Sequence, residues 1–183
     1  SYSWSVQFST LVDMLKRFEE ENPSDETNYY FVDMFILDQH ALNGYDTNDP
    51  ATQQELLSTL KRNISTPGKV LVCLSPWDAP TPLTRCWCLY EIYIAIVLDC
   101  EVHMCVSEAG AAAFHEALHS TTGFDVKTLI GSVDAANANA TVRSDKLMIL
   151  GEIAGSIGVA AFDSKVQGFM ESAIKELASS LAL

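Results

Sequence analysis

The sequence is poor in positive charge. Its 11 lysines and arginines stand against 24 aspartates and glutamates, which gives the 183-residue chain a formal net charge of −13. Such a charge repels phosphate backbones and anionic surfaces at long range, so we expect no nucleic acid among its partners. A small anionic dinucleotide is still compatible with this charge, because local dipoles and single cations can hold such a ligand.

Membrane-targeting and phosphate-binding signatures are also missing. No apolar run reaches the length of a membrane span and no signal peptide is recognisable, so we expect no membrane insertion. Neither G-x-G-x-x-G nor G-x-x-x-x-G-K-[ST] occurs in the sequence. Their absence disfavours the usual nucleotide-binding folds.

The five cysteines do not suggest a disulfide framework or a metal site. Their number is odd, and Cys73, Cys86, Cys88 and Cys100 lie in apolar runs, where a free thiol behaves as a small hydrophobic group. This usage is typical of the reducing cytoplasm. Cys86 and Cys88 form a C-x-C pair without a second pair at zinc-binding spacing, so we predict no metal ligands here.

The chain has the composition of one globular domain covering residues 1–183, with 48% hydrophobic and 19% charged residues. Apolar periodicity predicts helices near residues 8–18, 56–64, 84–98, 109–118, 144–153 and 166–177. Short apolar runs predict strands at 29–37, 69–74, 102–106 and 129–133. Strands that alternate with helices indicate an α/β fold, a parallel sheet with helices on both faces.

The unusual residues follow the predicted strands. Residues 2–4, 38–44 and 75–82 would meet at one rim of the sheet, and ligands of parallel sheets bind beyond the carboxyl ends of the strands. The third segment contains Pro76, Pro80 and Pro82, which predict an irregular, stiff loop.

Glu91 is the one charged residue in the otherwise apolar run between Cys86 and Leu98. At the rim and beside Trp87, its carboxylate would be partly desolvated and suited to proton transfer or to stabilising a nearby cation. An ion pair with Arg85, or the capping of a neighbouring loop, is the alternative interpretation.

Several segments of the sequence resemble the Toll/interleukin receptor (TIR) family. The run from Leu74 to Trp77, followed by Trp87-Cys88-Leu89-Tyr90-Glu91-Ile92, is similar to the family's strand ending in Ser and its helix beginning W-C-x-x-E-[LI]. Ser1-Tyr2 matches the end of its first strand, and Asp38 with Asn43-Gly44 resembles the start of its second loop. The resemblance extends over about residues 1–106; residues 107–183 would complete the fold with a carboxyl-terminal helix.

The resemblance implies a flavodoxin-like sheet and an NAD⁺ hydrolase acting in signalling or defence. In catalytic members the helix glutamate is required to cleave the nicotinamide-ribose bond, giving nicotinamide and ADP-ribose or cyclic ADP-ribose, and this role transfers to Glu91. NAD⁺ is then the substrate, and no cofactor or metal is needed. We expect substrate contacts from the residues around the rim, namely Tyr2, Ser3, Trp4, Asp38, Ser75, Trp77 and Trp87.

Family members also act as oligomers through the loop after the second strand. That loop would be residues 38–50 here, with partner contacts from Leu42, Asn43, Gly44 and Tyr45. A catalytically silent, self-associating TIR-like interaction module is therefore the second hypothesis.

A third hypothesis comes from residues 115–119, which satisfy H-E-x-x-H. On a helix this pattern places His115 and His119 on one face to bind zinc, with Glu116 as general base of a metalloprotease. The pattern is short and lies away from the predicted rim, so we favour a solvated helix face.

Overall fold

The computed structural model describes residues 1–3, 5–33, 49–120 and 125–181. The predicted site residues Trp4 and Asp38 and the predicted association residues, Leu42, Asn43, Gly44 and Tyr45, lie outside this part of the chain. The described residues form a mixed α/β body that is mostly helical. In order, its elements are α1 (Phe8–Glu21), α2 (Pro50–Ser65), β1 (Lys69–Cys73), a 3-10 turn (Thr81–Thr84), α3 (Cys86–Val97), β2 (Glu101–Cys105), α4 (Glu108–His119), α5 (Val126–Ile130), α6 (Arg143–Ser156) and α7 (Val159–Leu181).

Local sequence signals explain where the helices start and stop. The Asp49 side chain caps α2 by accepting from the Thr52 amide at 2.9 Å, and Pro50 occupies the first turn. Ser107 caps α4 in the same way, through the Gly110 amide. Helix α1 ends where the Asn22 side-chain amide donates to the Phe18 carbonyl, one residue before Pro23.

The two strands pair in parallel, with Lys69 opposite Glu101 and Cys73 opposite Cys105. Ser1 lies along the other edge of β1: the Cys73 amide donates to the Ser1 carbonyl at 2.9 Å, and the Ser1 nitrogen donates to the Leu71 carbonyl. These two hydrogen bonds flank Val72, as in a parallel pair. Residues beside Ser1 therefore lie next to β1 on the edge opposite β2.

Helices cover both faces of this small sheet. On one face, α1 packs Leu11, Met14 and Phe18 against Cys73 and Cys105. On the other face, the alternate strand residues Val70 and Val72 join the main core with α3, α6 and α7. Because successive side chains of a strand point to opposite faces, the nearly continuous apolar sequence of β1 supplies both clusters.

Two predicted strands are wrong within the described residues. Residues 29–32 have no regular secondary structure. Tyr30 and Val32 pack against the cluster formed with α1, whereas Tyr29 is 92% exposed. The segment 129–133 forms the end of the short helix α5 and a turn, although Leu129 and Val133 are buried. Burial of these residues alone does not distinguish a short strand from a short helix that ends in a turn.

The other predicted elements are confirmed, although α2 and α7 begin six and seven residues before their predicted starts. The proline-containing segment 75–84 departs from the prediction only at its end, where Thr81–Thr84 form a single 3-10 turn. Ser75 precedes a cis peptide bond to Pro76.

No single helix among the described residues combines the length and apolarity of a membrane span. The consecutive helices α6 and α7 meet those two criteria together, but they are bent by 93° at their junction.

A substitution of Phe162 would test the packing between α7 and α3. Its side chain is fully buried, and its ring centroid lies 4.8 Å from that of Tyr93. We expect Phe162→Ala to lower the free energy of unfolding by roughly 3–5 kcal/mol, because the cavity and the lost burial add together. Urea denaturation followed by circular dichroism measures this loss. The matched control Tyr29→Ala, at an exposed aromatic residue, should stay within about 0.5 kcal/mol of wild type; equal losses in both variants would contradict this packing.

Candidate functional site

Helix α3 is buried on nearly every side, as the sequence predicts. Eight of its twelve residues are buried, and Glu91 is its one acidic residue. Glu91 itself is half-buried. The residues on either side of it in the sequence, Tyr90 and Ile92, are in the core.

Burial is the main reason that the pKa of Glu91 is raised. The Asp33 carboxylate raises this pKa further, whereas the Ser1 amino group, the Ser1 hydroxyl and Arg85 lower it. Burial outweighs the favourable charges, so the neutral form of Glu91 is favoured compared with a solvated glutamic acid. Among the ion pairs of the described residues, none joins Glu91 to Arg85, so the predicted alternative of an Arg85–Glu91 ion pair is not observed.

A buried hydroxyl group lies beside this carboxylate. The Ser1 hydroxyl oxygen is inaccessible to solvent and has no hydrogen-bond partner among the described residues. The Ser1 hydroxyl also lowers the pKa of Glu91, as a polar group that can donate to the carboxylate does. The Ser1 hydroxyl and the Glu91 carboxyl group are thus neighbours in the described part of the chain.

Tyr2 connects Glu91's surroundings to a second carboxylate. The Tyr2 hydroxyl donates to Oδ1 of Asp33 at 2.6 Å, and the Tyr2 carbonyl accepts from the Cys88 thiol at 3.5 Å. Burial, with the charge of Glu91 next, raises the pKa of Cys88 to about 12. The Cys88 thiol therefore stays protonated and acts as a donor at neutral pH, and it is a poor nucleophile.

Asp33 was missed by the sequence analysis, although a signal was present. It is the one charged residue in the apolar stretch from Tyr29 to Leu37, as Glu91 is in α3. The stretch was predicted to be a buried strand, and the predicted site residue was Asp38, directly after that strand, instead of Asp33 in its middle.

Trp77 and Trp87, the two described tryptophans of the predicted site, contact side chains of other helices. The Trp87 indole donates from Nε1 to Asp145 of α6 at 3.0 Å. The Trp77 ring packs on Phe114 of α4 with ring centroids 5.2 Å apart. Both side chains are partly buried and pack against the main core, so core packing accounts for much of their surface.

The predicted serines take local roles in the described structure. Ser3 is 2% exposed, and its hydroxyl shares a hydrogen bond of 2.8 Å with the Ser5 hydroxyl. The Ser75 carbonyl accepts from the Thr81 amide and so closes the proline-containing loop. Among the predicted substrate contacts that the structure describes, Tyr2 hydrogen-bonds to Asp33 and to Cys88, and both of these groups affect or lie next to Glu91.

The H-E-x-x-H residues lie on α4 as predicted, but at its exposed end. The rings of His115 and His119 meet edge to face with centroids 4.4 Å apart, and Glu116 is exposed beside them. Asp125, further along, caps α5 by accepting from the Lys127 amide. Over the part of the chain that the structure describes, no three metal-binding side chains cluster.

Two surface grooves, each of about 390 Å³, lie elsewhere. One runs between α2 and α6, lined by Gln53, Leu57, Leu147 and Glu152 among others; the other lies along α1 beside Tyr30. Neither is lined by Glu91, so the chemistry of the carboxylates, and not groove size, identifies the candidate site.

The raised pKa of Glu91 predicts a pH-dependent stability difference. A carboxyl group whose pKa is higher in the folded state costs stability as pH rises from its unfolded value, near 4.3, through its folded value. Glu91→Gln should therefore be more stable than wild type at pH 7.5, with this advantage shrinking towards pH 4. Urea denaturation at both values measures it. The exposed Glu176→Gln serves as the control, and an advantage for Glu91→Gln that grows on acidification would contradict the assignment.

No protein-family model, no curated protein and no solved structure matches this chain. The geometry and charge of Glu91 and its neighbours therefore carry the functional proposal.

Proposed function

We propose that the chain is a TIR-like NAD⁺ hydrolase that cleaves the nicotinamide-ribose bond, with Glu91 as its catalytic residue. One observation carries the proposal: Glu91 is the one acidic residue of an apolar helix, and burial raises the pKa of its carboxyl group close to the first residues of the chain. Acidic groups perturbed by burial and by specific charges concentrate at functional sites.

The strand arrangement supports the finer, flavodoxin-like part of this proposal. In that fold the spatial order is 2-1-3-4-5, so the third strand lies between the first and the fourth. Here β1 lies between Ser1 and β2, and helices cover both faces of the sheet. If the segment beginning at Ser1 is the first strand, β1 and β2 take the third and fourth places.

The proposed reaction needs one well-placed negative charge. As the bond from ribose to the ring nitrogen lengthens, its electron pair moves to nicotinamide, which leaves neutral, and the ribosyl carbon becomes oxocarbenium-like. Ionised Glu91 would stabilise that developing positive charge and accept hydrogen bonds from the ribose hydroxyls. Water then adds to the carbon and loses a proton to give ADP-ribose, or closure within the same molecule gives the cyclic product.

A catalytically silent, self-associating module is the second candidate. The engagement of Trp87 with Asp145, and of Trp77 with Phe114, favours it, because both indoles make internal contacts instead of forming an open ring-binding wall. The exposed histidine pair leaves the zinc metalloprotease as the weakest of the three hypotheses.

Removing the Glu91 charge should strongly reduce NAD⁺ cleavage. We expect Glu91→Gln to lower kcat/KM by roughly 100- to 1000-fold, because a preorganised charge at the reacting carbon is lost while the side-chain volume is kept. Nicotinamide release measured by chromatography reports the activity, with the exposed Glu176→Gln as control. Wild-type turnover in folded Glu91→Gln would show that Glu91 is not the catalytic residue. A wild-type reaction that chelators do not inhibit would show that the cleavage does not need zinc.

We also propose that activity depends on self-association through residues 38–50, the part of the sequence that resembles the family's second loop. Specific activity should then rise with protein concentration, because assembly is a mass-action equilibrium. Tyr45→Ala should weaken this dependence, as loss of an aromatic contact commonly does at interfaces. Nicotinamide release at fixed NAD⁺ over a wide range of protein concentration measures it; constant activity per molecule would show that each chain acts alone.

A further inference from the structure

The end of α4 carries two imidazole rings that contact each other. His115 and His119 are exposed, and their ring centroids lie 4.4 Å apart with an angle of 60° between the ring planes. Residues four apart are neighbours on one face of a helix, so the backbone of α4 keeps the two side chains together. The proposed hydrolysis of NAD⁺ makes no use of this pair.

Within the described residues, no hydrogen bond or ion pair involves His115 or His119. His103 differs from them, because its Nε2 lies 2.6 Å from a carboxylate oxygen of Glu101 and its ring packs edge-on against Phe18. Neutral imidazole is the commonest protein ligand of metal ions. The nitrogens of the α4 pair are therefore accessible to a metal ion from solution.

The separation of the two rings suits a shared metal ion. Zinc–nitrogen bonds of about 2.0–2.1 Å at a tetrahedral angle place two coordinating nitrogens roughly 3.3 Å apart. Rings whose centroids lie 4.4 Å apart are already close to this arrangement. Because both side chains are exposed, rotation about their own bonds can direct both nitrogens to one ion without displacing a core residue.

The surroundings of the pair favour a cation. His119 belongs to the last turn of α4, where the helix dipole places partial negative charge. The exposed Glu116, next to His115, and the formal net charge of −13 attract cations at longer range. Imidazole ligands then select among the cations, because they suit Zn²⁺, Ni²⁺ and Cu²⁺, whereas Mg²⁺ and Ca²⁺ prefer oxygen ligands.

We propose that His115 and His119 form a two-histidine site for a divalent transition metal ion, with water in the remaining coordination positions. The ion connects residues one turn apart and so holds the last turn of α4 in the helical conformation. No third metal-binding side chain joins the pair within the described residues, so this open site differs from a zinc protease centre, which has three protein ligands. The inference does not depend on the proposed hydrolysis of NAD⁺.

Calorimetric titration with Ni²⁺ in a large excess of Mg²⁺ tests the site. Magnesium occupies sites that attract charge through oxygen ligands, so the remaining heat reports the imidazoles. We expect one Ni²⁺ per chain in wild type and at least about tenfold weaker binding in His115→Gln and in His119→Gln, because the second imidazole binds at a high effective concentration once the first has bound. The matched control His103→Gln, at a histidine already paired with Glu101, should bind Ni²⁺ as wild type does.

Thermal unfolding tests the proposed effect on α4. An ion that binds the folded chain more tightly than the unfolded chain raises the melting temperature as its concentration rises. Ni²⁺ should raise the melting temperature of wild type and of His103→Gln, and leave that of His115→Gln and His119→Gln nearly unchanged. Without metal, circular dichroism of the two α4 variants should match that of wild type, since both rings are exposed.

The outcomes decide whether both histidines hold the ion. Weaker binding in each α4 variant, with His103→Gln unaffected, supports the site whether or not the chain cleaves NAD⁺. Absence of Ni²⁺ binding to wild type under excess Mg²⁺, or binding that persists in both α4 variants, overturns it. Weaker binding in only one of the two variants shows a single-histidine ligand and also overturns the paired site.

Discussion

Helix α3 is packed between the sheet and the helices around it, and the rest of the structure depends on that burial. Leu89 and Ile92 are completely buried, and each contributes about 1.5–3 kcal/mol by leaving water. Contacts from α2, α6 and α7 converge on this helix, as do those from both strands. Since few other surfaces could cover so apolar a segment, the remaining elements are arranged around it.

The same burial gives Glu91 its chemical character. A carboxylate on an exposed helix would be fully solvated, but here the apolar neighbours that stabilise α3 also disfavour the charged form of Glu91. Most residues of α3 thus stabilise the fold by being buried, whereas burial of the Glu91 carboxyl group costs some stability. In our proposal that local cost is connected with function, because an incompletely solvated carboxylate interacts strongly with a nearby positive charge.

The first residues of the chain connect the sheet, α1 and α3. Ser1 extends the sheet along β1, the Tyr2 ring packs with α1, and the Tyr2 carbonyl meets Cys88. Asp33 comes from a segment far along the chain, yet it hydrogen-bonds to this same tyrosine. Short backbone and side-chain contacts of Tyr2 therefore connect Asp33 to the helix that carries Glu91.

The sequence by itself determined six of the seven described helices and the two described strands, and it marked Glu91 as a lone charge in an apolar run, because periodicity, caps and isolated charges are local signals. It did not distinguish the α5 turn from a strand, since Leu129 and Val133 can be buried in either conformation. Only the tertiary structure decided that Trp87 bonds to Asp145 and that Tyr2 anchors Asp33. Both contacts join residues distant along the chain, and their partners are chosen by packing geometry that no local pattern encodes.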